Sequence, residues 1–268
     1  MRKSIVRSIF KRHSPSAQAP SSPRWVEISA GPLAGRELFI ADDTPSWRAL
    51  ASGDYEPFIF DSLGEDGYEG KTVWDIGAFV GYHALAFAAL VGSAGRVVTF
   101  EPNPYNVERV KMNLEKNPDL ASRIVIVTKA LANEDGQTTF LLSPSIETGQ
   151  SSGSHMTSAM APEAPSVYES FEHITVDTVR ADTLVSTEQL PAPALIKMDV
   201  EGAELMVLQG SVQMLADMRP TLLIEIHHIV TMFETHKLLG SLEYELRIVN
   251  VDVGSTSRCH LLAKPQRG

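Results

Sequence analysis

The sequence predicts an α/β fold: a mostly parallel seven-stranded sheet with helices on both faces and an antiparallel hairpin at the C-terminal end. Three observations predict it. Short, continuous apolar runs alternate with segments of helical period between residues 71 and 227, the pattern of strands covered on both faces. The stretch VWDIGAFVGYHALAFAAL, Val73 to Leu90, passes from an apolar strand through an acid and two spaced glycines into an apolar helix. Tyr244–Val251 and Ser257–Lys264 read as neighbouring strands joined through Asp252-Val253-Gly254, a hairpin on one sheet edge.

Taken in order, residues 1–24 read as a basic, flexible tail and linker. The first twelve residues hold five basic side chains and no acid, and SPSAQAPSSP follows. Ile5, Val6, Ile9 and Phe10 share one side of a helix drawn through residues 2–12, which allows contact with an anionic membrane surface beside the plainer reading of a frayed tail. Residues 25–268 read as one domain. Strands are expected at Lys71–Ile76, Arg96–Phe100, Ile124–Lys129, Ala194–Asp199 and Thr221–His227. Helices are expected at Tyr82–Val91, Pro104–Lys116 and Ala203–Asp217. Asn103 suits the N-cap of the second, with Pro104 at its first position. Leu205, Leu208, Val212 and Leu215 give the third an apolar stripe. Ser143–Glu172 breaks the alternation: it is long and rich in Ser, Pro and Ala, and reads as a mobile loop, either disordered or a lid over an acceptor.

The totals exclude several classes. At 268 residues the chain is long enough to bury a core, and its net charge of −10 argues against non-specific nucleic-acid binding. Cys259 is the single cysteine, so no intrachain disulfide forms and a reducing, cytoplasmic location is the expectation. No apolar run approaches the ~20 residues of a membrane-spanning helix, and the N-terminal segment lacks the uninterrupted apolar stretch of a signal peptide.

The glycine turn carries the chemistry. A Gly-rich connection between strand and helix sets backbone N–H groups against a ligand. A dinucleotide fold needs G-x-G-x-x-G there, because a pyrophosphate approaches the backbone closely. Here Gly77 is followed by Ala-Phe-Val and then Gly81, and Asp75 precedes the first glycine by two residues. An acid in that place does nothing for a phosphate; it suits a ligand with a cationic end, such as the ammonium and sulfonium of S-adenosylmethionine. Glu101 closes the second strand, twenty residues beyond Gly81, where a carboxylate can accept from both hydroxyls of a ribose. An NAD-dependent oxidoreductase and a non-catalytic cofactor-binding scaffold are the alternatives, the first disfavoured by the missing glycine.

DIGAFVG, FEPNPYNVERVKMNLEKN, IKMDVEGAELMVLQG and RPTLLIEIH together resemble the FkbM-type class I methyltransferases, from about Tyr55 to His227. The resemblance implies a Rossmann-like fold and S-adenosylmethionine-dependent methyl transfer, usually to a hydroxyl of a sugar or secondary metabolite. It places Asp75, Gly77, Phe79 and Gly81 around the methionine end, Glu101 on the ribose, and Asn103 and Ala130 beside the adenine. It also implies that Gly53-Asp54-Tyr55-Glu56-Pro57 faces cofactor or acceptor; by itself that segment reads as a loop with a solvated acid. The Leu-Asp-Asp segment common in the family reads Val179-Arg180-Ala181-Asp182-Thr183-Leu184 here and keeps only its first acid.

Ligands of open α/β sheets sit beyond the carboxyl ends of the strands. Asp199, Glu225 and His227 end two neighbouring strands, so Asp199 and His227 are the expected bases for an acceptor hydroxyl and Glu225 the group that orients the histidine or the substrate. Other readings weigh against each: Asp199 as a helix cap, Glu201 and Glu204 as acids favouring a helix dipole, His227 as a structural histidine. A magnesium ion between Asp199 and Glu225 is possible but not favoured, because no compact ligand spacing supports it. The expected partner is a small hydroxylated acceptor.

Overall fold

The structure is a computed structural model, and it describes residues 23–41, 44–64, 67–143, 154–157, 171–187, 189–251 and 258–266. The expectations for residues 1–22, for most of the 143–172 loop and for the turn at 252–254 lie outside the described residues.

A small antiparallel pair comes first, β1 (Arg24–Glu27) with β2 (Glu37–Ile40), followed by helices α1 (Pro45–Ser52) and α2 (Pro57–Leu63). The main sheet then starts with β3 (Thr72–Ile76), α3 (Tyr82–Leu90), β4 (Arg96–Phe100), α4 (Pro104–Lys116), the short α5 (Pro118–Ala121) and β5 (Ile124–Val127). Next come β6 (Ala130–Leu131), β7 (Gly136–Leu142), β8 (His155–Met156) and β9 (Glu172–Val179), which form a four-stranded sheet of their own in the order β6-β9-β7-β8. After α6 (Ala181–Ser186) the chain returns to the main sheet with β10 (Leu195–Met198), α7 (Glu204–Gln209), α8 (Val212–Met218), β11 (Thr221–Ile226), α9 (Ile229–Ser241), β12 (Tyr244–Val251) and β13 (Cys259–Pro265).

The seven-stranded order is β12-β13-β11-β10-β3-β4-β5, with β5, β4, β3, β10 and β11 parallel and the last two strands antiparallel. The first strand of the sheet, β3, therefore has β4 on one side and β10 on the other. That is the switch in strand order beside which open α/β sheets hold ligands.

Alternation along the strands sorts their side chains into two layers. Val73, Val97, Leu195, Leu223 and Leu262 pack with the largely apolar α3, the β1–β2 pair and α1. Trp74, Ile76, Val98, Phe100, Ile196, Met198 and Ile224 pack with α6, α7, α8 and α9. Both faces of the sheet are thus dry, which explains why its strands read as continuous apolar runs.

Three expectations change. The helix expected over Ala203–Asp217 is two helices, broken at Gly210 and Ser211, because a Cβ on Gly210 would lie 1.9 Å from the Ala132 carbonyl oxygen. Within the segment read as a mobile loop, His155 and Met156 are buried and pair with Leu141 and Phe140 as β8. Arg24, placed in the tail, already belongs to β1. Among the described residues no helix is long and apolar enough to cross a membrane.

Candidate active site

The turn after β3 is shaped by contacts that exclude side chains. Gly77 has φ 89°, and a Cβ there would sit 1.8 Å from the Asp199 carbonyl oxygen, so strand ends β3 and β10 meet only over glycine. Phe79 also adopts a left-handed conformation, φ 52°, unusual for an aromatic residue and a mark of a constrained site. Its N–H donates to Glu101 Oε2 at 2.8 Å, while the Asn103 N–H donates to Oε1 at 2.9 Å. Glu101 is buried, and that burial pushes its carboxyl up to about 7 against the pull of those two N–H donors and Asn106.

A cleft of about 620 Å³ opens over this turn, lined by Gly77, Phe79, Glu101, Ala130 and Asp199 among others. Ile76, Phe100, Leu131, Phe140 and Met156 make much of its wall apolar, the setting a nucleoside base requires. Ser154 and Met156 enter from the segment around β8, and Asn106 and Lys129 add polar groups that sequence reasoning missed. Asn103 lies beneath the wall and does not line the cleft. Its side chain caps α4, accepting from the Tyr105 N–H at 3.0 Å. Gly81, φ 85°, starts α3 against Val110.

Asp75 departs from expectation. It is fully buried and lines neither this cleft nor the one beside it. Its register partners are Thr99 on β4 and Lys197 on β10. Thr99 Oγ1 donates to Oδ2 at 3.1 Å, and Lys197 Nζ stands 4.0 Å from Oδ1, which has no hydrogen-bond partner. Burial raises the Asp75 carboxyl to about 6, Lys197 and Thr99 opposing. The cation this acid faces is therefore a lysine from the next strand, one no spacing within the glycine motif could reveal. A ligand ammonium would have to approach the free side of Oδ1.

A second, wider cleft of about 1520 Å³ adjoins the first, and Gly77, Phe79, Asp199 and Glu201 line both. Its walls include Tyr55, Glu56, Phe58, His83, Lys197, Glu225, Arg258 and His260. Glu56, read alone as a solvated acid, is half-enclosed at a left-handed φ of 49° before α2, and burial pushes its carboxyl up to about 7. Glu201 is likewise raised to about 7, by burial and then by the charge of Asp199. Lys197 Nζ is 3.5 Å from Asp199 Oδ2; burial alone would lower its pKa, but the surrounding Asp199, Asp75, Glu56 and Glu225 raise it, so it stays charged.

Asp199 does not cap a helix: the Gly202 N–H before α7 is taken by Glu204 Oε1 at 2.8 Å. Glu204, expected as a first-turn acid favouring the helix dipole, does open α7, and it is also fully buried and bonded to His227 Nδ1 at 2.7 Å. His227 is corrected most. It lines neither cleft, and its Nε2 faces Glu201 at 3.4 Å and Asp199 and Glu225 at 3.7 Å. Burial alone would lower its pKa, but the Glu204 hydrogen bond and the charges of Asp199, Glu204 and Glu201 outweigh that and raise it to about 9. Set among these acids and outside both clefts, it is placed to hold the carboxylates together and not to meet an acceptor hydroxyl. Glu225, on the wall of the wider cleft, is brought down to about 2: burial works against this, and His260, His227 and Lys197 overcome it.

Residues 75–246 match the Methyltransferase FkbM domain family, well over half of the chain. The chain belongs to the FkbM methyltransferase family. It is an S-adenosylmethionine-dependent methyltransferase with the Rossmann-like fold of class I, and the oxidoreductase alternative falls away. Among curated proteins it is 27% identical to the hexuronic acid methyltransferase AglP of Haloferax volcanii, over 70% of this chain and 69% of that protein. Among solved structures it is similar to the methyltransferase FkbM from Methylobacillus flagellatus, at 19% identity and a TM-score of 0.52. That match covers 84% of this chain but only 56% of the other, so the FkbM enzyme has much that this chain does not align with.

The residues fit the cofactor such a family requires. Asp75 Oδ1 is a buried oxygen still lacking a partner, the Gly77 turn leaves no room for a side chain, and Glu101 presents a carboxylate to an apolar-walled cleft.

Proposed function

We propose that this methyltransferase methylates a hydroxyl oxygen of a sugar, glycan or similar small polyhydroxylated acceptor. One observation carries the reading: a mostly apolar cleft and a wider cleft carrying several charged side chains meet at Asp199 and Glu201, which belong to both. When bound, S-adenosylmethionine supplies an electrophilic methyl carbon on a positively charged sulfur.

The chain's own groups do the rest. Glu101 accepts from ribose hydroxyls, with the Phe79 and Asn103 N–H groups fixing its orientation. Phe79, Ala130 and Met156 exclude water around the base. Asp75 Oδ1, which has no hydrogen-bond partner, is the oxygen left to accept from the amino group, while Thr99 and Lys197 hold the carboxylate in place. Asp199 takes the proton of the acceptor hydroxyl at the junction, and Glu201, raised toward neutral pH, is the neighbour able to relay it. Lys197 keeps Asp199 in place without leaving the sheet. Most of the rate comes from holding the acceptor oxygen in line with the methyl carbon.

The name of the Haloferax relative makes sugar acids the first acceptors to test. Purified protein, S-adenosylmethionine and a panel of neutral sugars and uronic acids should yield a product heavier by roughly 14 Da, the order expected for one added methyl. Fragmentation placing the methyl on oxygen supports the reading. Methylation on nitrogen or carbon, or cofactor turnover only with non-sugar acceptors, would overturn it.

A further inference from the structure

We propose that Glu56, Glu225 and His260 hold a divalent first-row transition-metal ion in the wider cleft. One ligand atom from each lies within 4.8 Å of the others. His260 Nε2 stands 3.5 Å from Glu225 Oε2 and 3.8 Å from Glu56 Oε1. Donors bound at ~2.0–2.2 Å around a tetrahedral or octahedral ion stand roughly 3.0–3.5 Å apart, so the two distances from His260 are close to those of a closed set.

Independent support comes from His83 at the start of α3. Its side chain is 8% exposed, it faces Glu56 Oε2 at 3.3 Å, and its Nε2 has no hydrogen-bond partner. A buried, unpartnered imidazole beside two carboxylates and a second imidazole makes a mixed oxygen and nitrogen donor set. That set suits Mn²⁺, Co²⁺ or Zn²⁺, whereas Mg²⁺ and Ca²⁺ prefer oxygen alone. Charge agrees: Glu56, Asp199, Glu201 and Glu225 line this cleft against Lys197 and Arg258, so the cleft carries an excess of carboxylates. The second acidic group, Asp199, Glu201 and His227, is set apart because its histidine lines neither cleft.

Three separate segments supply the donors, and open positions on the ion would take adjacent hydroxyls of the acceptor and lower the pKa of the one facing Asp199. That role rests on the methyltransferase reading; the site itself does not.

Metal-free full-length protein is titrated with Mn²⁺, followed by calorimetry and by the Mn²⁺ electron paramagnetic resonance signal, with Zn²⁺ in competition. One ion per chain is expected. Glu225→Gln and His260→Ala should each weaken it at least tenfold while S-adenosylhomocysteine affinity stays within about twofold, which shows that the fold and the cofactor cleft survive. No uptake at millimolar Mn²⁺ or Zn²⁺, or uptake unchanged in both variants, overturns the site. Failure of the wild type to bind S-adenosylhomocysteine would instead remove the methyltransferase reading and leave the metal titration standing.

Discussion

Lys197 and Glu101 show how single side chains settle a buried site. Lys197 compensates both Asp75 and Asp199, so Lys197→Met leaves a fully buried acid without its cation. Breaking such a pair costs on the order of 3–5 kcal/mol, read as a lower urea midpoint. The sign with pH follows from Asp75. Its pKa is raised from 3.8 to about 6 in the folded chain, so the native state holds the extra proton and the burial penalty appears as pH rises through about 6. Without Lys197 that pKa climbs further, and the variant's deficit should therefore shrink between pH 7.5 and 5.5. A deficit independent of pH would clear Asp75 of the charge. Glu101 gives the opposite dependence in binding. Ribose hydroxyls favour its ionised form, so S-adenosylhomocysteine affinity should fall as pH drops through about 7. Glu101→Gln should bind at least tenfold more weakly at pH 8 and lose most of that slope, measured by calorimetry. The place of Glu101 at the end of β4 and on the wall of the cleft was legible because its strand and the glycine turn lie close in sequence. The charge on His227 was not, because Glu204, Asp199 and Glu201 reach it from a different strand and helix.

At the scale of elements, the parallel strands were readable because apolar side chains from them pack on both faces of the sheet. Polar edges hid the rest. The strands β7 and β9 pair over seven residues, Gly136 to Leu142, yet several of their positions are exposed and their sequence keeps no clean period. The break between α7 and α8 was hidden differently: helical period continues through Gly210, and only the approach of the Ala132 carbonyl forbids a straight helix. Gly210→Ala isolates that contact. A Cβ there meets backbone at 1.9 Å while φ is ordinary, so the strain is steric and should cost about 1–3 kcal/mol, visible in the denaturant midpoint. Gly35→Ala provides the contrast. Its φ is +76° with nothing within 4 Å of the added methyl, so only the backbone term, about 1 kcal/mol, remains. Equal losses at both positions would mean that the α7–α8 junction relaxes freely and does not fix the rim carrying Asp199.

For the whole molecule, the acceptor cleft is where sequence reasoning had least to work with, since Glu56, His83, Glu225 and His260 come from four distant segments and share no spacing. Gly77, Phe79 and Glu101, from one turn and two successive strand ends, share a local spacing, whereas Phe140, Ser154 and Met156 reach the same cleft from within and beside a separate sheet. This division predicts separable behaviour. A ligand that binds only the folded state at a hundredfold excess over its Kd adds about 2.7 kcal/mol. For a chain of this size that raises Tm by roughly 5–10 °C. S-adenosylhomocysteine should produce the shift and NAD should not, because the Gly77 turn lacks the second glycine on which a pyrophosphate would rest. Asp199→Asn keeps the Gly77 contact, which uses the Asp199 main chain, and removes only the charge at the junction of the clefts. Its shift with S-adenosylhomocysteine should match the wild type while methyl transfer slows by a factor on the order of 10²–10⁴, the range for losing a general base. Loss of shift and turnover together would assign Asp199 to cofactor binding. An undiminished rate would move the proton acceptor to Glu201, the other carboxylate common to both clefts.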